Sequence, residues 1–164
     1  MSIPFKKYEE SAGAIRDVIG AFRPQVAMVL GSGLGWLGDM VEDAVTVPYI
    51  KIPHFKVSTA PGHQGQLVFG TLQGKKVAVM QGRMHYYEGY SHEEVAYPIR
   101  VLHLLGASTL FVTNAAGAVN KAFKAGDLLL ITDHIKLYGD GPLRGENIPE
   151  FGPRFPDASY LYTP

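Results

Sequence analysis

Arg83, His85 and Glu88 crowd into "QGRMHYYEGY" (81–90), directly after the apolar run "KVAVM". In extended chain Arg83 and His85 point to the same side, because successive side chains alternate. A forked guanidinium beside an imidazole suits a dianion. The Arg supplies paired donors, and the His supplies one more donor or a proton. Glu88 is close enough in sequence to orient His85 or bias its protonation. The plainer alternatives are an Arg83–Glu88 surface ion pair and a histidine satisfied at a sheet edge.

Two further junctions have the same character. "GSGLGWLG" (31–38) follows the apolar run "QVAMVL". Its glycines permit a tight turn and close approach of an anion to backbone N–H groups, and Ser32 adds a hydroxyl donor. A packing turn whose Ser bonds its own backbone is the equal alternative. In "TNAAGAV" (113–119), Asn114, Ala115, Ala116 and Gly117 could aim backbone N–H groups at a ligand without side-chain obstruction; otherwise Asn114 caps a helix. In open α/β sheets, ligands sit outside the carboxyl ends of strands. Three such ends together predict an oxyanion site.

Gly33, Gly35 and Gly38 also satisfy G-x-G-x-x-G, which suggests dinucleotide binding. That reading fails, because it needs an acidic residue about 20 positions on, and none lies between Asp43 and Glu88. "GTLQGKK" (70–76) has the wrong spacing for a P-loop.

The elements that must position these residues are legible in outline. Residues 7–22 predict a helix with Ile15, Val18, Ile19 and Phe22 inward and Pro24 as the stop. "QVAMVL" (25–30) predicts a strand buried on both faces. "QLVFGTL" and "KKVAVMQ" flank Gln73-Gly74 as a hairpin. "SHEEVAYPIRVLHLLG" (91–106) predicts a helix opened by a Ser91/Glu94 capping box and closed by Gly106. Val95, Ile99 and Leu102 form its core stripe, and Pro98 should kink it. "STLFVTN" (108–114) and "DLLLITDHI" (127–135) predict further buried strands. Beyond Ile135 the pattern dissolves into a long Gly/Pro-rich stretch. Buried strands alternating with helices, with one hairpin, predict a single α/β domain over 1–164 with a mixed central sheet.

Lys plus Arg and Asp plus Glu are 15 each, so there is no electrostatic footprint for nucleic acid or an anionic membrane. Any bound anion must be held by a local cluster. The chain has no Cys, which excludes disulfides, thiolate zinc sites and a Cys nucleophile. No metal-ligand spacing is evident. No apolar run reaches the length of a membrane span, and the N-terminus lacks a signal h-region. These features predict a soluble, cytoplasmic protein.

"VLGSGLGWL", "STAPGHQGQLVFG", "MQGRMHYYEGY", "PIRVLHLLGASTLFVTNAAGAVN", "GDLLLITDHI" and "PLRGEN…FGPRFPD" occur in that order. This ordered series, spanning about Val26 to Pro156, closely resembles the trimeric class of purine nucleoside phosphorylases. The resemblance implies a phosphorylase/hydrolase-like, three-layer α/β/α sandwich, incomplete in this chain, and a homotrimer. It implies phosphorolysis of purine nucleosides to free base and pentose 1-phosphate, with inorganic phosphate as co-substrate and no cofactor. Carried over by motif, Ser32, His63, Arg83, His85 and the Ala115 N–H look like the phosphate site. Tyr87 looks like a sugar contact, and Glu88 like an acid supporting His85 in catalysis. Phe155 resembles an aromatic lent to the neighbouring subunit's sugar pocket.

The family's purine-gripping residues lie downstream of the matched region. The resemblance therefore predicts the N-terminal part of such an enzyme and leaves base selectivity unread. Lys136, Gly141 and the tail "ASYLYTP" depart from the family pattern. A catalytically incomplete phosphate- or nucleoside-binding domain and a methylthioadenosine-type phosphorylase are the alternatives.

Overall fold

The computed structural model describes residues 2–57, 64–137 and 139–163. Helix α1 spans Phe5–Ile19, and helix α2 spans His92–Leu104. Five strands, β1 (Val26–Val29), β2 (Glu42–Pro48), β3 (Gln66–Leu72), β4 (Lys75–Gln81) and β5 (Thr109–Val112), form one sheet ordered β2-β3-β4-β1-β5. The β4-β1-β5 half is parallel and the β2-β3-β4 half antiparallel, so the sheet is mixed as expected. Among the described residues, no helix is long and apolar enough to cross a membrane.

Alternation sorts the strand side chains onto two faces. Ala27, Val29, Leu67, Phe69, Ala78 and Met80 pack beneath the two helices, against Tyr8, Ala12, Ile15, Val101 and Leu102. Val68, Val77 and Val79 face the other way, where Leu34, Leu37 and Val41 cover them. That cover includes a short 3₁₀ segment, Gly35–Met40. The β3–β4 turn places Gln73 and Gly74 both at positive φ (49° and 71°), the geometry that matches strand twist in a two-residue hairpin.

Several expectations shift. Helix α1 stops at Ile19 because Gly20 turns to φ 58° while its N–H still bonds the Arg16 carbonyl at 2.8 Å. Val18 lies off the buried stripe of Tyr8, Ser11, Ala12, Ile15 and Ile19 and is 54% exposed, while Phe22 reaches the core from the loop, edge-on to Phe69. Helix α2 runs continuously through Pro98. Its buried face is Tyr97, Pro98, Val101 and Leu102, with Val95 and Ile99 only partly covered. The rotation is set by packing against α1: Tyr97 stacks on Tyr8 at 4.4 Å, and its hydroxyl lies 2.7 Å from Ser11 Oγ. Ser11 Oγ also bonds the Pro53 carbonyl at 2.6 Å, and Tyr97 donates to the Lys7 carbonyl at 2.7 Å. This buried polar knot is satisfied, as burial demands. Burial pushes the Tyr97 hydroxyl up to about 12.

Two buried-strand expectations are corrected. β5 is a strand at the sheet edge, paired among the described residues to β1, but all four of its residues are exposed. Residues 127–135 form no strand, and Leu128 and Leu130 are 92% and 86% exposed. An apolar run becomes a strand only where a neighbour takes up its backbone groups. Among the described residues none pairs with it. Conversely, β2 was not anticipated. It lies at the other edge with only Val47 buried, so it carries almost no apolar signal.

The α2 capping box forms as predicted. Glu94 N–H donates to Ser91 Oγ at 3.2 Å, and Ser91 N–H donates to Glu94 Oε2 at 2.9 Å. That Ser91 bond, with Lys56 nearby, holds the Glu94 carboxyl below the usual glutamate range. A depressed folded-state pKa stabilises above the unfolded value, about 4.3, and the benefit vanishes as pH falls through the folded value. Urea melts should therefore show Glu94→Gln less stable than wild type at neutral pH, with the gap closing on acidification below about pH 4. A gap that stayed constant with pH would contradict this.

Candidate functional site

Because β4, β1 and β5 are adjacent and parallel, their carboxyl ends emerge side by side. The last paired rung is Met80, Val29 and Val112. Three residues further along each chain stand Arg83, Ser32 and Ala115. The three sequence-predicted junctions thus emerge at one level of one sheet edge.

Side-chain contacts tie these ends together. Arg83 Nη1 donates to the Leu30 carbonyl at 3.3 Å and to the Thr113 carbonyl at 3.2 Å, spanning the exits of β1 and β5. Gly31 N–H donates to Thr113 Oγ1 at 2.7 Å, and that hydroxyl donates to the Val29 carbonyl at 3.1 Å. The backbones approach so closely that a Cβ on Gly31 would sit 2.7 Å from the Thr113 carbonyl oxygen. Past this contact the chain turns tightly, with Leu34 N–H bonded to the Gly31 carbonyl at 3.2 Å and Gly33 at φ 86°. Ser32 and Gly33 are exposed at the rim.

His85 leads into a 3₁₀ turn, Tyr86–Glu88. Glu88, its side chain only 3% exposed, accepts from the His85 backbone N–H at 2.9 Å and lies 2.8 Å from His85 Nδ1. One carboxylate oxygen thus fixes both the backbone and the ring. Glu88, named above as a possible surface partner of Arg83, is instead largely buried and paired with His85. Tyr87 stacks on His85 at 4.8 Å and is 76% exposed, a flat aromatic wall beside the imidazole. Tyr86 instead stacks on His92, and Tyr90 donates to the Val57 carbonyl at 2.7 Å. Glu88→Ala removes the acceptor of two part-buried contacts and should cost about 1–3 kcal/mol, read from urea melts. A change below about 0.5 kcal/mol, as at an ordinary surface site, would contradict the anchoring role.

The Asn114–Gly117 segment is exposed and irregular; it does not begin a helix. His63 lies outside the described residues. Phe155 is 85% exposed, stacked under the Arg154 guanidinium, and no described contact brings it to the strand ends. Sequence reasoning missed Thr113 as the clamp and Tyr49 as a second anchor. The Tyr49 hydroxyl, raised in pKa by burial, donates to the Gly82 carbonyl at 2.6 Å, immediately before Arg83. Neither carries a local signal, since their partners are 82 and 33 residues away.

The segments leaving these strand ends carry a guanidinium, an imidazole, a hydroxyl and exposed backbone, the types of group that can hold a tetrahedral oxyanion. The sequence profile of the phosphorylase superfamily matches residues 25–164. The chain belongs to the phosphorylase superfamily. Within that superfamily it is 55% identical over 140 residues to purine nucleoside phosphorylase 1 of Geobacillus stearothermophilus, a match covering 85% of this chain and 51% of the relative. It is 53% identical over 143 residues to the purine nucleoside phosphorylase of Bos taurus, covering 85% and 50%. Among solved superfamily structures, a purine nucleoside phosphorylase in complex with ribose-1-phosphate matches with TM-score 0.88 and 46% identity. That match covers 97% of this chain and 59% of the other. The Schistosoma mansoni enzyme in complex with adenosine matches with TM-score 0.88 and 46% identity, covering 97% and 56%. The chain spans about half the length of the curated relatives it matches.

Proposed function

We propose that the β4-β1-β5 edge is the phosphate half of a purine nucleoside phosphorylase active site. The protein to which this chain belongs would convert a purine nucleoside and phosphate to free purine and pentose 1-phosphate. The observation that carries the reading is the common level of Ser32, Arg83 and Ala115, three residues past the last paired rung of adjacent parallel strands. Similarity to relatives named for this activity supports it.

In this reading Arg83, Ser32, His85 and the Ala115 N–H hold the dianion, and His63 joins them. Phosphate is itself the nucleophile. One of its oxygens bonds the anomeric carbon as the glycosidic bond breaks, and the bonding pair leaves with the purine nitrogen, which takes a proton. The developing oxocarbenium charge is stabilised by the phosphate held beneath it, so positioning and electrostatics carry the protein's share. Glu88 keeps the His85 ring oriented toward the anion. Tyr87, stacked on that ring, walls the sugar. The reading includes a cytoplasmic homotrimer in which Phe155 reaches a neighbour's sugar pocket, consistent with its exposure. It calls for no cofactor besides phosphate as co-substrate.

The test is release of hypoxanthine from inosine, with and without phosphate. The expected result is phosphate-dependent release with one ribose 1-phosphate per base. Release independent of phosphate would overturn the reading. Phosphate binding with no release would favour an incomplete binding domain. Preference for methylthioadenosine would favour the other phosphorylase class.

A further inference from the structure

We infer that Gln81 is a positioning residue for the anion-binding turn, and that Gly38 is glycine to admit its side chain. This inference rests on the phosphate site proposed above. Gln81 ends β4, is 2% exposed, and is a polar residue following the buried apolar run Val77–Met80. Its amide is fully engaged. Nε2 donates to the Gly35 carbonyl and to Asp39 Oδ1, both at 3.0 Å, and Oε1 accepts from Gln66 Nε2 at 2.7 Å. Gln66 is its register partner on β3 and reaches on to Gln64 Oε1 at 2.6 Å. Two strands therefore grip the 35–39 segment through one side chain.

Gln81 ends β4, and Arg83 follows it two residues on, past Gly82 at φ 98°, so one strand exit carries first the lock and then the grip. Arg83 bonds the Leu30 carbonyl just before the turn, and Gln81 bonds Gly35 and Asp39 just after it. The intervening Gly31–Leu34 turn, with Ser32, is thereby held at both ends, by the last residue of β4 and by the segment just past it. Gly38 shows what this requires. Its φ is not positive, so backbone freedom does not explain it. A Cβ there would overlap Gln81 Nε2, Cδ and Cγ. Gly35, by contrast, has open space where its Cβ would stand. The G-x-G-x-x-G spacing thus ends in a glycine that makes room for an amide, not for a cofactor.

Calorimetric phosphate titration and amide hydrogen exchange at Gly33–Leu37 test this on the full chain. Gln81→Met, matched in length and unable to hydrogen-bond, should weaken phosphate binding about tenfold and speed exchange at those amides. Exposed Asp39→Ala, which leaves the core untouched, should do the same to a lesser degree. Gln81→Glu places a carboxylate against Asp39 and the Gly35 carbonyl, and should be worse than Gln81→Met. Adding Asp39→Asn restores a donor–acceptor pair and should recover part of the loss, which a merely structural filler would not do. Wild-type affinity and exchange in both Gln81→Met and Asp39→Ala, or no recovery in the double variant, would overturn the inference. If wild type itself bound no phosphate, the phosphate-site reading would fall. The exchange rates at Gly33–Leu37 would then decide the role of Gln81 by themselves.

Discussion

Arg83→Ala is expected to lower phosphate affinity by about two orders of magnitude or more. A guanidinium making two charge-assisted bonds to an oxyanion contributes about 1.5–3 kcal/mol through each, and every 1.4 kcal/mol is about tenfold. With no net charge on the chain, there is no general field to substitute for it. The variant also removes the donor shared by the Leu30 and Thr113 carbonyls, so some stability should go with it. Arg83→Lys separates the two effects. It keeps the positive charge but not the planar fork, so its affinity should fall between wild type and Arg83→Ala. Isothermal calorimetry reads both variants, and urea melts identify any loss that comes from unfolding. Unchanged phosphate affinity in folded Arg83→Ala would remove Arg83 from the site.

Gly31→Ala should be the most damaging single methyl in the site. The added Cβ would lie 2.7 Å from the Thr113 carbonyl oxygen, 2.9 Å from Asn114 Cα and 3.1 Å from Asn114 N. All three are backbone atoms, so no rotamer change can relieve the contact. The β1 and β5 exits must part, breaking the Gly31–Thr113 hydrogen bond. Overpacking of this kind costs about 1–3 kcal/mol. It should also separate Ser32 from Ala115 and weaken phosphate binding by at least several-fold. Urea melts and calorimetry on the same preparation test both halves. Stability within about 0.5 kcal/mol of wild type would show that the junction can open freely.

What the sequence discloses follows from where each signal originates. That Ser32, Arg83 and His85 lie past strand ends was legible, because a short apolar run followed by glycines and polar residues is a local pattern. The hairpin and the α2 cap were legible for the same reason: Gln73-Gly74 and Ser91/Glu94 act within four residues. Burial is a different matter. The runs 108–114 and 127–135 look equally apolar, yet neither is buried, since burial depends on which layers pack against a run. β2 escaped notice because a solvated edge strand needs no apolar alternation. The supports of the site were hidden for a third reason. Gln81 reaches Gly35 and Asp39, Tyr49 reaches Gly82 and Thr113 reaches Gly31 across separations of 33 to 82 residues, and nothing in their neighbours announces those contacts. Gly38 was misleading in the same way, since its partner Gln81 lies across the sheet.

The carboxyl ends of β4, β1 and β5 are proposed to form one phosphate site. Calorimetric titration of the wild-type chain with inorganic phosphate tests it most directly. The expected result is saturable binding of one phosphate per chain, displaced by competing tetrahedral dianions such as sulfate. No saturable heat across the millimolar range, from a chain shown to be folded, would contradict it.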